Sequence, residues 1–276
     1  MEWQEMARGY LAQLAMEEKS SATLEKYRRA LRRFAAFAAG RPPEKPLVLA
    51  YKAHLAARCA VATANGSLAA VNGMLKFAGR SECCVRQFKV QRKTFCAPEK
   101  ELTRQEYARL VRAAKKKRDP RLCLVLQTIC GTGIRVSELV HITAEAVRRG
   151  EASITCKGKT RAVFLPRALQ KKLLAYCRTR HIQAGPVFVT RSGRPLTRYF
   201  VWRAMKSLCR DAGVAPGKVF PHNLRHLFAR VFYALEHDIA KLADLLGHSS
   251  INTTRIYIIS TGAEHRRKLE RMHLIL

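Results

Sequence analysis

The sequence falls into two parts with different hydrophobic periodicity, separated by a basic stretch. Apolar residues in the first part recur at helical spacing, most clearly over 24–38, and Gly40 ends that pattern. Residues 86–100 are rich in Lys and Arg, which is typical of a linker, and Thr103 and Glu106 then form a capping box. The pattern predicts a helical domain over 1–90, a basic linker over 91–100 and a second domain over 101–276.

The second part mixes helical and strand patterns. Residues 121–130 have the apolar density of a buried helix, and helix is predicted again over 135–139, after a glycine break. Two short strand-like segments, 153–156 and 162–165, predict a β-hairpin, and 186–190 predict a third strand. Further helices are predicted over about 197–211, 221–235, 238–246, 250–258 and 263–274. The predicted fold is mainly α, with a small antiparallel β-sheet in the second domain.

The charge balance indicates a polyanionic partner. The chain has 52 Lys and Arg against 20 Asp and Glu, a net charge of +32. The excess positive charge is about +10 over residues 1–100 and about +22 over residues 101–276, so it is not confined to one basic tail. This argues against an ordinary metabolic enzyme and favours nucleic acid lying along both domains. A membrane surface is the competing partner, but no apolar run is long enough to span a bilayer and no lipidation motif is present.

The nine cysteines do not form a metal-binding pattern. No CxxC pair occurs, and the adjacent pair Cys83 and Cys84 has no histidine at zinc-finger spacing. We therefore predict reduced thiols in a cytoplasmic protein, with no metal and no cofactor.

Four segments carry side chains suited to phosphate chemistry. They are TGIRVSEL at 132–139, CKGKTR at 156–161, HNLRH at 222–226 and LLGHSSINTTRIY at 245–257. Arginines can clamp the extra negative charge of a phosphodiester transition state. A tyrosine can attack phosphorus if a nearby group accepts its proton, because its free pKa is about 10. A lysine or histidine can protonate the leaving oxygen.

These four segments, in this order, resemble the tyrosine recombinase (phage integrase) superfamily, especially its small Xer-like members. The resemblance covers the whole chain: residues 1–90 resemble the core-binding domain and 101–276 the catalytic domain. It implies that the two domains form a clamp around double-stranded DNA. It also implies site-specific cleavage and rejoining of strands, through a 3′-phosphotyrosyl intermediate and a Holliday junction.

The resemblance also implies a role for each site residue. Arg135 and Arg225 would bind the scissile phosphate, and Tyr257 would be the nucleophile. Lys157 would protonate the 5′-oxygen; His222 would accept a proton or orient the tyrosine, and His248 would hydrogen-bond a non-bridging oxygen. Glu138 lies one turn from Arg135 and either orients it or forms a plain surface pair. Lys159 is the alternative hairpin lysine, and Lys159, Arg161 and Arg194 are predicted DNA contacts.

Three other functions remain open at this point. Residues 239–247 are compatible with a helix-turn-helix, so a non-catalytic DNA-binding regulator is one alternative. A type IB topoisomerase shares the same chemistry, and a catalytically inactive relative would share the fold. The recombinase interpretation implies a monomer or dimer on one DNA site and a homotetramer on paired sites, in a prokaryotic, nucleoid-associated setting. It also implies that the predicted helix at 263–274 docks on a neighbouring protomer rather than on its own domain.

Overall fold

The computed structural model describes residues 2–90, 98–156 and 159–257, together with residues 266 and 270–272. The chain contacts group into two compact units, residues 1–92 and 93–276. Each unit has its own apolar core. The predicted hairpin lysine Lys157 and most of the predicted linker and terminal helix lie outside the described residues.

The first unit consists of four helices. They are α1 (Glu2–Met16), α2 (Ser21–Ala38), α3 (Lys45–Arg58) and α4 (Val61–Phe77), followed by a 3-10 turn at Ser81–Cys83. The apolar face predicted for α2 is buried, with Phe34 between Trp3 and Tyr51 at ring-centroid distances of 4.8 and 4.9 Å. The side chain of Ser20 caps the start of α2. The opposite face of α2 carries its arginines.

The second unit is built around one buried helix. The helix α6 (Pro120–Thr132) lies against neighbours on several sides, and the capping box of Thr103 and Glu106 starts α5 as predicted. The other helices with described bounds over residues 98–156 and 159–257 are α5 (Arg104–Lys116), α7 (Ala144–Arg149), α8 (Arg167–Thr179), α9 (Arg198–Lys206), α10 (Cys209–Ala212), α11 (Pro221–Glu236), α12 (Ile239–Leu246) and α13 (Ile251–Arg255). Single 3-10 turns lie at Pro98–Lys100, Val136–His141 and Pro216–Lys218.

The predicted hairpin is present. Strands β1 (Glu151–Cys156) and β2 (Lys159–Phe164) pair antiparallel, with Glu151 opposite Phe164 and Cys156 opposite Lys159. On β1, Ala152 and Ile154 are buried, so one face of the hairpin closes the core.

Two local predictions were wrong. Residues 186–190 do not form a third strand; they make only isolated bridges, Thr143 to Pro186 and Val189 to Pro195. Each bridge involves a proline, which has no N–H to extend a ladder. Residues 135–139 do not continue as an α-helix, because a 3-10 turn over Val136–His141 replaces it.

The described cysteines are free thiols. Four of them are buried: Cys83, Cys123, Cys177 and Cys209. Within the same ranges, no group of three or more His, Cys, Asp or Glu could hold a metal ion. None of the helices described is long and apolar enough to cross a membrane.

Candidate active site

Arg225 lies at the centre of the site, in the first half of α11. The residue is 1% exposed, and its guanidinium donates to the carbonyl oxygens of Gly133 at 2.5 Å and Leu246 at 2.7 Å. Burial, and then the charge of Arg135, lowers the pKa of Arg225 to about 10. The group therefore remains a cation at neutral pH, and its carbonyl partners offset the cost of burying it. The orientation of the guanidinium is therefore fixed by backbone carbonyls at the ends of two other helices, α6 and α12.

One of those carbonyls comes from a helix end that requires glycine. Gly133 ends α6 in the left-handed conformation, with φ +68°. A Cβ at this position would lie 2.4 Å from the ring of Phe228 and 3.1 Å from the side chain of Leu246. Both the backbone conformation and the close approach exclude a side chain here. Gly133 thereby lets the end of α6 touch α11 and α12.

A buried carboxylate joins two arginines beside this centre. The side chain of Glu138 is 5% exposed and accepts hydrogen bonds from Arg135 Nη1 and Arg161 Nη2, each at 2.8 Å. The backbone N–H of Arg135 also donates to Glu138, at 2.8 Å. The pair is therefore not a surface pair: the carboxylate fixes the side chain of Arg135 and caps the 3-10 turn that follows it.

The second arginine of this group, Arg161, faces inward. Its side chain is 14% exposed; Nη1 and Nη2 donate to Glu138, and Nε donates to the carbonyl of Leu245 at 3.2 Å. A Cβ on Gly247 would meet this guanidinium at 2.9 Å. Arg161 therefore links strand β2 to the arginine segment and to the end of α12.

We expect Glu138→Gln to lower the free energy of unfolding most at neutral pH and least in acid. Burial raises the pKa of Glu138, but the bonds from Arg161 and Arg135 outweigh it and lower the pKa to about 2. A carboxyl group whose pKa is depressed on folding stabilises the native state above its unfolded value, near 4.5. That contribution is lost as the pH falls from about 4.5 towards 2. At pH 7 the substitution should cost about 1–3 kcal/mol.

The measurement is urea unfolding between pH 7 and pH 3. The fluorescence of Trp202, read in a Trp3→Phe background, reports on the second unit. The exposed Glu151→Gln on β1 serves as the control for loss of one negative charge. A difference between wild type and Glu138→Gln that stays constant over this pH range would contradict the prediction.

His248 follows α12 and has a protein partner at each ring nitrogen. Its Nε2 lies 2.9 Å from Arg225 Nη2, and its Nδ1 lies 2.8 Å from the hydroxyl of Thr254. Burial, followed by the charges of Arg225 and Arg135, lowers the pKa of His248 to about 4. The imidazole is therefore neutral at physiological pH.

Tyr257 is brought into the same site by the short helix α13. The residue is 4% exposed, and its backbone N–H donates to the carbonyl of Thr254 at 2.9 Å. Its hydroxyl lies 3.3 Å from Nε2 of His222, at hydrogen-bonding distance. Burial and the charges of Arg225, Arg198 and Arg135 lower the pKa of His222, which keeps its ring neutral and able to accept a proton.

The remaining predicted site residues lie elsewhere or outside the described ranges. Lys157 is not among the described residues, and of Lys159 only the backbone, paired in β2, is described. Arg194 is exposed in a turn, where its backbone N–H donates to the hydroxyl of Thr190. These roles remain predictions.

Sequence reasoning missed several residues that shape the site. His226 has its ring centroid 4.3 Å from that of Tyr257, and burial and the neighbouring His222 lower its pKa to about 4. Its position one turn after His222 on α11 was the signal available. Thr254, the partner of His248, was also missed. The signal available for it was its position three residues before Tyr257 on a predicted helix. For Gly133, the only signal was its place between a buried helix and Arg135.

Comparison with known proteins places this arrangement in a family. The phage integrase family model matches residues 100–264. Tyrosine recombinase XerA of Pyrococcus furiosus is 30% identical over 281 residues, which covers 98% of this chain and 95% of that protein.

Two solved structures share the fold. The XerH site-specific recombinase bound to its difH substrate in a pre-cleavage complex has a TM-score of 0.70 at 22% identity, covering 91% of this chain and 79% of that one. A lambda integrase tetramer bound to a Holliday junction has a TM-score of 0.71 at 18% identity, covering 92% and 76%. With the family match over more than half of its length and a relative aligned over nearly all of it, this chain belongs to the phage integrase family of site-specific tyrosine recombinases.

Proposed function

We propose that this recombinase cuts and rejoins DNA through a covalent 3′-phosphotyrosyl intermediate at Tyr257. The observation that carries the proposal is the Tyr257 hydroxyl 3.3 Å from His222, in a site that also holds Arg225 and Arg135. A nucleophile, a neutral proton acceptor and two fixed cations are the groups that transesterification of a phosphodiester requires. The described residues include a candidate for each of these three roles, and the proton donor for the leaving oxygen is assigned separately, to Lys157.

The reaction exchanges one phosphate ester for another. The Tyr257 oxygen bonds to phosphorus while the bond from phosphorus to the 5′-oxygen breaks, and His222 takes the phenolic proton. Arg225 and Arg135 stabilise the extra charge on the non-bridging oxygens. The 5′-oxygen leaves as a hydroxyl after receiving a proton, a role that we assign to Lys157. Attack by a 5′-hydroxyl from another strand reverses these steps and frees Tyr257, so rejoining needs no nucleotide.

Duplex DNA is the proposed partner, and the first unit offers a surface for it. An open cleft of about 590 Å³ between α2 and α4 is lined by four basic side chains, Lys26, Arg29, Arg32 and Arg33. Its other lining residues are small, among them Thr63 and Gly66, so phosphates can approach the backbone. The Holliday-junction tetramer of lambda integrase supports four protomers on paired sites as the working assembly. Both the clamp around DNA and the docking of the terminal helix remain predictions.

The alternatives fit the observed contacts less well. In a helix-turn-helix regulator, residues 239–247 would be free to enter a DNA groove. Here the carbonyls of Leu245 and Leu246 at the end of α12 accept hydrogen bonds from Arg161 and Arg225, which supports a role for this segment in holding the proposed active site. An inactive relative has no need for a tyrosine hydroxyl held beside a neutral histidine. A type IB topoisomerase would use the same residues, so the experiment must separate strand exchange from relaxation.

The test uses the DNA that flanks the gene, prepared as duplexes with a nick beside the cleavage site. After cleavage, the short fragment next to the nick diffuses away, so the strand cannot be rejoined and the covalent adduct accumulates. We expect a covalent protein–DNA adduct on a denaturing gel, with the DNA remnant mapped by mass spectrometry to the peptide containing Tyr257. The adduct should form in EDTA and without ATP, because the arginines supply the charge. An adduct on another residue, or none on DNA that the protein binds, would refute the mechanism. Exchange between two sites, with no relaxation of unrelated plasmids, distinguishes a recombinase from a topoisomerase.

A further inference from the structure

Arg161 on strand β2 has a largely buried side chain that no step of the proposed reaction uses. Its side chain is 14% exposed, compared with 35% for that of Arg135, and each of its three guanidinium nitrogens donates to a protein oxygen. A guanidinium that contacts a DNA phosphate has donors directed at the DNA. The contacts of Arg161 therefore indicate a role other than the DNA contact predicted from the sequence.

The first set of contacts holds the carboxylate of Glu138. Arg161 Nη1 donates to Oε1 at 3.2 Å and Nη2 donates to Oε2 at 2.8 Å, in a two-pronged pairing. Arg135 uses the same two oxygens: its Nη1 donates to Oε1 and its backbone N–H donates to Oε2, each at 2.8 Å. Four hydrogen bonds fill the acceptor sites of a carboxylate. The orientation of Glu138, and with it that of Arg135, is therefore fixed.

The remaining contact of Arg161 reaches the end of α12. Its Nε donates to the carbonyl of Leu245 at 3.2 Å, and the carbonyl of the next residue, Leu246, accepts from Arg225 Nη2 at 2.7 Å. The turn that follows leaves room for the guanidinium, because Gly247 has φ +65° and a Cβ there would lie 2.9 Å from Arg161. One side chain is therefore tied to the supports of both arginines that the mechanism places on the phosphate.

We propose that Arg161 is a positioning residue, which sets the distance between Arg135 and Arg225 by joining Glu138 to the end of α12. Two guanidiniums stabilise a phosphoryl transition state only if their donors converge on the oxygens of one phosphorus atom. Arg161 supplies that geometry from inside the protein, without touching the DNA. The proposal rests on the proposed function, because the rate of strand cleavage is one of its readouts.

The first measurement is the rate of adduct formation in a single turnover, with DNA affinity measured in parallel. Arg161→Lys keeps the charge, but one nitrogen cannot reproduce both the pairing with Glu138 and the bond to Leu245. We expect the rate to fall by about 10–100-fold and the affinity to stay within a few-fold of wild type. The exposed Arg149→Lys on α7 is the matched control and should have no effect. A wild-type rate in Arg161→Lys would refute the proposal, whereas absence of cleavage by wild-type protein would refute the proposed function instead.

The salt dependence of DNA binding tests the competing role as a phosphate contact. Loss of a residue that neutralises one DNA phosphate reduces the slope of log K against log salt by about 1. Arg161→Gln removes the charge, and we expect an unchanged slope because the guanidinium faces Glu138. A slope reduced by about 1, with weaker binding, would overturn the proposal whether or not the protein cleaves DNA.

A third measurement shows whether Arg161 acts through the carboxylate. In a Glu138→Gln background, Arg161→Lys should slow cleavage several-fold less than it does in the wild-type background, because the shared link is already broken. Equal losses of rate in both backgrounds would count against positioning through Glu138. If circular dichroism shows that Arg161→Lys does not fold, Glu138→Asp takes its place, since it keeps the charge but draws the carboxylate back by one methylene. Cleavage by Glu138→Asp at the wild-type rate would then refute the proposal.

Discussion

Replacing Tyr257 by phenylalanine is expected to abolish strand cleavage while leaving DNA affinity within a few-fold of wild type. The substitution removes one oxygen, the atom that lies 3.3 Å from His222 and that would bond to phosphorus. The hydroxyl of Thr254, which is paired with His248, is fully buried and we do not expect it to replace the phenol. We therefore expect a loss above about 10⁴-fold, as when an essential nucleophile is removed. The aromatic ring remains, and with it the contacts to His226 and His248.

The measurement is adduct formation on the nicked duplex, with a gel shift run in parallel. Tyr233→Phe is the matched control, because Tyr233 is a partly buried aromatic that packs against the small apolar cluster formed by Ala229, Leu242, Leu246 and Tyr257. That variant should cleave like wild type. Persistence of the covalent adduct in Tyr257→Phe would remove this tyrosine as the nucleophile.

The second large effect is expected from Arg225→Lys. The lysine keeps the positive charge, but its donors diverge from a single nitrogen and cannot reproduce the planar fork of a guanidinium. It would not hold Gly133, Leu246 and His248 together as Arg225 does. We expect cleavage to fall by about 10²–10³-fold, with loss of stability in the second unit as well. The exposed Arg210→Lys should leave the rate unchanged.

A modified substrate separates the two consequences of this change. A methylphosphonate at the scissile position carries one negative charge fewer than a phosphate, so cleavage depends less on an arginine clamp. The loss of rate caused by Arg225→Lys should therefore be smaller on the methylphosphonate than on the natural diester. An equal loss on both substrates would mean that Arg225 acts through the fold and not through phosphate charge.

Much of this architecture could be predicted because it depends on short-range patterns. The capping box at Thr103 and Glu106 and the hairpin of β1 and β2 each follow from a few neighbouring residues. The grouping of Arg135, Arg225, His222, His248 and Tyr257 was implied by the resemblance of their segments to the family, and the structure brings these residues together.

What could not be predicted depends on contacts between distant segments. A basic residue on a β-hairpin is usually solvent-exposed, and nothing in the sequence near Arg161 shows that the carboxylate of Glu138 lies beneath it. Similarly, the hydroxyl of Thr254 has no local pattern that distinguishes it from Thr253. The third strand was wrong because prolines limited its pairing to isolated bridges, which apolar content alone does not reveal.

The contacts that fix the arginines and the tyrosine join positions far apart in the chain. Arg225 and Gly133 are separated by 92 residues, Arg161 and Leu245 by 84, and His222 and Tyr257 by 35. Tyr257 is also the last of these residues to be synthesised on the ribosome. On the proposed mechanism, a nascent or proteolysed chain that ends before Tyr257 lacks the group that would cut DNA.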